Sequence, residues 1–287
     1  MFGFLPNNLY TAHNAANTSG LSPRLWGRVS GSMMASDGNK RLVLVGDDFS
    51  AIHTAGTLTD LISEHPYLIC ADDTSNHSVV GAADEKGGVL QLKIDAAAAA
   101  NEEIGIELGD GTGQLGQISD TAGDAHLTAF ECCLKVSTIT DGKLAMLAGL
   151  VGPGSVDGDT LTDTSGIPTA ANHGIGFNIK ADDGNAIDFF YEAAGQTRVD
   201  VIEGIEVPAA DTLVKLGFIY DPDAIPAKRI TVYVNNIEQG TYVTATQIAA
   251  ATFPDAEALT FAFAMKGIAG STALEAGIDW WAFAQLI

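Results

Sequence analysis

Thr128-Ala-Phe-Glu-Cys-Cys-Leu-Lys-Val136 puts Phe130, Cys132, Leu134 and Val136 on one face of an extended chain. Glu131, Cys133 and Lys135 fall on the other face. Successive side chains alternate across a strand, so this period of two predicts a strand with one side turned to a core. The same alternation runs through Val89–Ile94, through Ile175/Phe177/Ile179 and through Val214/Leu216/Phe218/Tyr220. It returns at Ile230/Val232/Val234 and at Leu259/Phe261/Phe263/Met265. Between these runs lie Gly109–Gly116, Gly152–Gly158, Asp182–Asn185, Asp221–Pro226 and Asn235-Asn236, all rich in turn-forming residues. Helical candidates are confined to Thr57–Ser63 and Ala245–Ala251, and the run Ala96–Ala100 reads as a connection between two strands. Many strands, regular turns and little helix predict an all-β, antiparallel sandwich.

The 287 residues carry 14 Lys+Arg against 36 Asp+Glu, a net charge of −22, and 46% of them are hydrophobic. Such a chain forms a core and is not disordered. A strongly acidic protein lacks the clustered Lys and Arg that phosphate contacts need, so neither nucleic acid nor an anionic membrane surface is an expected partner. No basic, then apolar, leader opens the sequence, and no apolar run reaches the length that spans a bilayer. Three cysteines, Cys70, Cys132 and Cys133, form no disulfide framework. These features predict a soluble protein made in a reducing compartment.

The charge is unevenly placed. Residues 1–36 hold Arg24 and Arg28 and no acid, and the rest holds 12 bases against all 36 acids, a net of −24. The first stretch has no clear period, yet it carries Phe2, Phe4, Leu5, Tyr10, Leu25 and Trp26. We read it as an extended N-terminal arm that docks on a neighbouring subunit or partner, the alternative being a segment packed on its own domain. Residues 37–86 then form a connecting and edge-strand segment, and residues 87–287 the sandwich.

From about Gly87 onward the order of features resembles the concanavalin A-like lectin/glucanase jelly roll, a domain that recurs in structural proteins of tailed bacteriophages. The resemblance rests on Gly87-Gly-Val-Leu-Gln-Leu, on the strand from Thr128 to Val136, on Arg229-Ile-Thr-Val-Tyr-Val-Asn-Asn and on the closing Ile278-Asp-Trp-Trp-Ala-Phe-Ala-Gln-Leu-Ile. It implies a jelly-roll β-sandwich, and either glycan binding, glycan hydrolysis or particle assembly. A retaining glucanase would need two carboxylates about 5–5.5 Å apart. Asp188 and Glu192 could share a face, but Ala186 stands where the family's nucleophile belongs. Glu103 and Glu107 share a face with only Gly105 between them. Neither set keeps the triplet, and both read as acids on a solvated strand face; no catalytic residue is assigned.

Other motifs yield little. Gly111-Thr-Gly-Gln-Leu-Gly116 matches a dinucleotide fingerprint, but the polar stretch that follows is no helix to hold a pyrophosphate. The six histidines are scattered with no pair at metal-ligand spacing. Loop acids Asp157, Asp159 and Asp163 are calcium candidates, although Leu161 and Thr162 break the EF-hand pattern; no other cofactor is expected. Trp280 and Trp281 alternate on the last strand, so one faces the core. The outward one, with Tyr233, is a candidate sugar platform or subunit contact.

These readings point to a non-enzymatic structural protein of a phage particle. The expectation is a capsid decoration (cement) protein on the virion exterior, synthesised in the host cytoplasm and assembling as a homo-oligomer. Its partners would be the major capsid protein or other virion subunits, met through Phe2, Phe4, Leu5, Tyr10, Arg24 and Trp26. The alternative is a carbohydrate-binding adhesin on a fibre or spike; a glycoside hydrolase is disfavoured by the missing triplet.

Overall fold

Strands dominate because the alternating segments each offer one apolar face, and two sheets can close those faces against each other. A computed structural model describes residues 42–49, 67–72, 76–81, 88–109, 111–157, 159–184, 186–270 and 273–287. The whole of the proposed arm, residues 1–36 with Phe2, Phe4, Leu5, Tyr10, Arg24 and Trp26, and the expected helix at Thr57–Ser63 lie outside the described residues.

The chain runs through β1 (Leu42–Asp47), β2 (Tyr67–Ala71), β3 (His77–Gly81), β4 (Leu90–Ile94), β5 (Glu102–Leu108) and β6 (Thr128–Val136). It continues through β7 (Leu144–Val151), β8 (Gly174–Ile179), β9 (Ile187–Glu192), β10 (Val199–Glu206) and β11 (Val214–Tyr220). The last elements are β12 (Ile230–Val234), β13 (Ile237–Val243), a single helical turn α1 (Ala245–Ile248), β14 (Thr260–Gly267) and β15 (Leu274–Leu286). The back sheet has the order β13-β12-β11-β6-β15-β4-β3, with β1 also pairing β15, and the front sheet β10-β9-β8-β7-β14-β5-β2. Every pairing is antiparallel. The segment read as connecting thus contributes an edge strand to each sheet, β2 to the front and β3 to the back, while β1 lies beside the C-terminal half of β15.

Asn235 and Asn236, both at positive φ (48° and 68°), make the two-residue hairpin between β12 and β13, where asparagine tolerates the left-handed region best after glycine. Thr244 caps α1: its Oγ1 accepts from Gln247 N while the Gln247 side chain accepts from Thr244 N. Between the sheets, Phe177, Phe189, Phe218, Phe130 and Phe261 follow one another in contact, and Trp281 stacks on Phe261 at 4.2 Å. The Trp281 indole N–H donates to Tyr67 Oη (2.9 Å), whose hydroxyl donates to Asp47 (3.0 Å). That relay ties front strand β2 to back strands β15 and β1.

Candidate functional site

The front sheet has a second face, turned away from the core, and its register fixes what stands there. Glu103, Gly105 and Glu107 of β5 lie opposite Lys266, Ala264 and Ala262 of β14. Across β7, these face Ala145, Leu147 and Gly149. On β8 and β9, Asn178 meets Asp188 and Gly174 meets Glu192. This is the face on which a glucanase-type carboxylate set would sit. It is not solvated: Glu103, Glu107, Asn178, Asp188, Glu192 and Lys266 are each at most 2% exposed. The expectation of acids on an open strand face is therefore corrected.

The cover is the long connection between β7 and β8, a strap running from Gly152 to His173. Val156 and Leu161 descend from it into an apolar patch with Ala145, Leu147, Phe190, Ala262 and Ala264. Gly105 makes room for this, since a Cβ there would lie 2.8 Å from Val156 Cγ1 and 3.0 Å from Ala264 Cβ. Within the strap, Thr162 N donates to Ile167 O and Gly166 N to Thr162 O, closing a tight turn at positive φ on Gly166.

The two β5 carboxylates bind the strap's backbone. Glu107 accepts from Gly154 N (2.7 Å) and Val156 N (3.1 Å); Glu103 accepts from Thr160 N (3.0 Å) and Leu161 N (2.9 Å). Each carboxylate thus accepts from two strap amides, and those of Val156, Thr160 and Leu161 belong to buried residues whose N–H groups need a partner. Burial pushes both acids above their usual range, while the amide hydrogen bonds pull back. Lys266 completes the fastening. Its ammonium donates to Leu161 O (2.5 Å) and lies 2.7 Å from Asp163, 3.6 Å from Asp159 and 3.6 Å from Glu103. Burial alone would lower the lysine pKa, but Asp163, Glu103 and Asp159 together raise it.

Towards β10 a second polar group forms. Lys180 lies 2.9 Å from Asp188, 3.3 Å from Asp183 and 3.5 Å from Asp200, and its pKa is raised against the pull of burial. Arg198 stacks over the Phe190 ring at 4.1 Å, gives Nε to Asp200 (2.6 Å) and Nη1 to Asn178 Oδ1 (2.8 Å). Glu192, beside it, has one carboxyl oxygen without a hydrogen-bond partner, and burial pushes its pKa to about 8. Asp188 and Glu192 are separated in role: the first pairs with Lys180, and the second is a carboxyl whose burial favours its protonated form.

Of the calcium candidates, the structure brings Asp159 and Asp163 together, but around Lys266. Asp157 stands apart, its Oδ1 accepting from Asp159 N. Among the described residues no three acid, histidine or cysteine side chains form a metal-holding group. Gly111–Gly116 is a loop after β5, and no helix follows it. Trp281 is a core residue at 1% exposure; Trp280 and Tyr233 point outward from the back sheet, as alternation predicts, but each is only 4% exposed. None of the three offers an open ring face.

Sequence reading did not single out Lys266, Lys180, Arg198 or Asn178. One sign was available: the outward positions of β14 and β7 read Ala262, Ala264, Ala145 and Leu147, an apolar set that a solvated face would not carry.

No protein-family model matches the chain, and no curated protein sequence matches it. Solved structures do. A protein of unknown function from Shewanella oneidensis superposes with a TM-score of 0.52 at 14% identity, over 94% of this chain and 96% of that one. Peanut lectin, solved with a nine-residue peptide, gives 0.52 at 13% identity over 86% and 99%. Winged bean acidic lectin, complexed with methyl-α-D-galactose, gives 0.50 at 12% identity over 86% and 100%. At such identities the likeness is one of fold alone, the antiparallel jelly-roll sandwich that these lectins share.

Proposed function

We propose that the chain is a non-enzymatic binding and scaffolding sandwich, and that it serves as a capsid decoration protein on a phage particle. One observation carries the first half: Glu103 and Glu107, the acids best placed for cleft chemistry, accept backbone N–H groups from the chain's own strap. A carboxylate so engaged is neither a free nucleophile nor a proton donor to a substrate. Function then resides in association through outer surfaces. The second half is supported by sequence features: an acid-free, aromatic-bearing N-terminal stretch and an acidic remainder that disfavours nucleic acid as a partner. In this reading residues 1–36, through Phe2, Phe4, Leu5, Tyr10, Arg24 and Trp26, bind the major capsid protein or another virion subunit.

The test is quantitative mass spectrometry of purified virus particles. The expected result is a copy number equal to, or a simple fraction of, the major shell protein. Absence from particles overturns the virion assignment. A few copies per particle would instead favour the second reading, a carbohydrate-binding adhesin, which draws support from the shared sandwich of peanut and winged bean lectins. Glycan-array binding by the purified protein would then be expected.

A further inference from the structure

The outer face of the back sheet is apolar and closed. Ala129, Ile219, Tyr233, Ala282, Ala284 and Leu286 cluster there, each at most 4% exposed. Register sets them side by side, with Ala129 of β6 opposite Ile219 of β11 and Ala284 of β15. An alanine among such short neighbours on a water-facing sheet keeps part of its methyl exposed, because nothing beside it stands taller. Ala284 and Ala129 are instead at 0% and 1%. On the front sheet the strap does the closing, and Val156 and Leu161 belong to the cluster beneath it. On the back sheet every described member of the cluster belongs to the sheet's own strands or, as Leu127, leads into one.

We propose that residues 27–41 of the same chain lie across this face and are its cover. β1 pairs with β15, Leu42 opposite Leu286 and Leu44 opposite Ala284, so the chain before Leu42 joins the sheet at the border of the patch. Extended, residues 27–41 reach up to roughly 50 Å. From β15 to β12 is three strand spacings, roughly 14 Å. The stretch carries Val29, Met33, Met34 and Ala35, and unbranched methionines fit a surface made of alanines and one tyrosine. The connection that follows β1, residues 50–66, is flanked by Phe49 and Tyr67, whose rings lie 5.8 Å apart against the core between the sheets, so both its ends are on the inside. The proposal goes beyond the capsid reading: it ties residues 27–41 to their own sheet and leaves residues 1–26 for a partner.

The experiment uses the purified protein without any partner, so its outcome is separate from that of the virion assignment. Ala129→Cys places a thiol under the proposed cover, and Cys70→Ser removes the half-buried native thiol, while Cys132 and Cys133 are at 0% exposure. The reaction of the introduced thiol with a thiol reagent such as DTNB is expected to be slow in the full-length protein and equally slow after deletion of residues 2–26. Deletion of residues 2–41 is expected to speed it at least about tenfold, as access no longer waits for local opening. Equal rates in the full-length protein and the longer deletion overturn the proposal. So does full reactivity after the shorter deletion, which would make the aromatic stretch the cover, or protection that fades on dilution, which would make it a second copy. Should the longer deletion precipitate, full-length protein carrying Val29→Ser, Met33→Ser and Met34→Ser is read for the same thiol, and a rate unchanged from its parent overturns the proposal.

Discussion

Burial changes what a single carboxyl can do, and Glu192 is the clearest case. It is 2% exposed, one of its oxygens has no hydrogen-bond partner, and its pKa rises from 4.5 to about 8. Desolvation is the main cause; the Arg198 charge lowers the value and Asp200 raises it. Because the folded state holds this proton more tightly than the unfolded chain does, the stabilisation is fully present below pH 4.5 and is lost as pH rises towards 8. The full swing is on the order of 5 kcal/mol, an upper figure for a site that can relax. Glu192→Gln keeps the shape and removes the titration. Urea unfolding of both proteins across this range should show the wild type losing stability relative to the variant as pH rises, with the two curves diverging from mild acid to pH 8. Parallel curves would mean that Glu192 ionises freely. Glu103 and Glu107 differ from it in the paired backbone amides that each accepts, and that difference separates a fastener from a buried liability.

At the level of elements, the strap's turn depends on Gly166. Its φ is +66°, its N–H donates to Thr162 O, its carbonyl accepts from Asn178 Nδ2, and an added Cβ would collide with Ala145. Gly184 has a similar φ of +62° but open space around it. Gly184→Ala should therefore cost about 1 kcal/mol, the left-handed backbone alone, whereas Gly166→Ala adds overpacking and should cost at least about 2 kcal/mol. Chemical denaturation of the pair isolates the packing contribution, and equal losses would show that the strap yields at no cost. The sandwich strands were legible in sequence wherever one face meets the core and the other is polar, as in β4 and β6. The run Leu144–Val151 was not resolved by period, because both faces of β7 are buried, one by the core and one by the strap. The same cover explains why Glu103 and Glu107 read as solvated acids, while Asp188 is enclosed by Lys180 and by the backbone N–H of Gly204 on β10, 2.8 Å away. A long-range loop placed the two β5 acids inside, and alternation reports only that two faces differ. The loop acids Asp159 and Asp163 were noticed for calcium; that a lysine 100 residues downstream meets them is a fact of sheet register, which local sequence does not carry.

For the molecule as a whole, the decisive imbalance is 36 acids against 14 Lys+Arg. Two electrostatic effects oppose each other here. Exposed ion pairs such as Lys93 with Glu275, at 2.8 Å and about a third or more exposed, stabilise the fold slightly and weaken with salt. Repulsion among the surplus acids destabilises the compact state and also weakens with salt. Bases are too few to pair most acids, and the two cations of the strongest clusters, Lys266 and Lys180, are themselves buried or nearly so and therefore screened less than an open surface pair. Repulsion should win. Raising ionic strength from about 0.01 M to about 0.15 M shortens the screening length from roughly 30 Å to 8 Å, and the melting temperature should climb across that interval. Sodium chloride and tetramethylammonium chloride should act alike, since the effect is screening and not ion binding. A melting temperature that falls with salt would place the balance with the surface pairs. A rise confined to sodium would point to a specific ion site instead of the general field of a −22 protein.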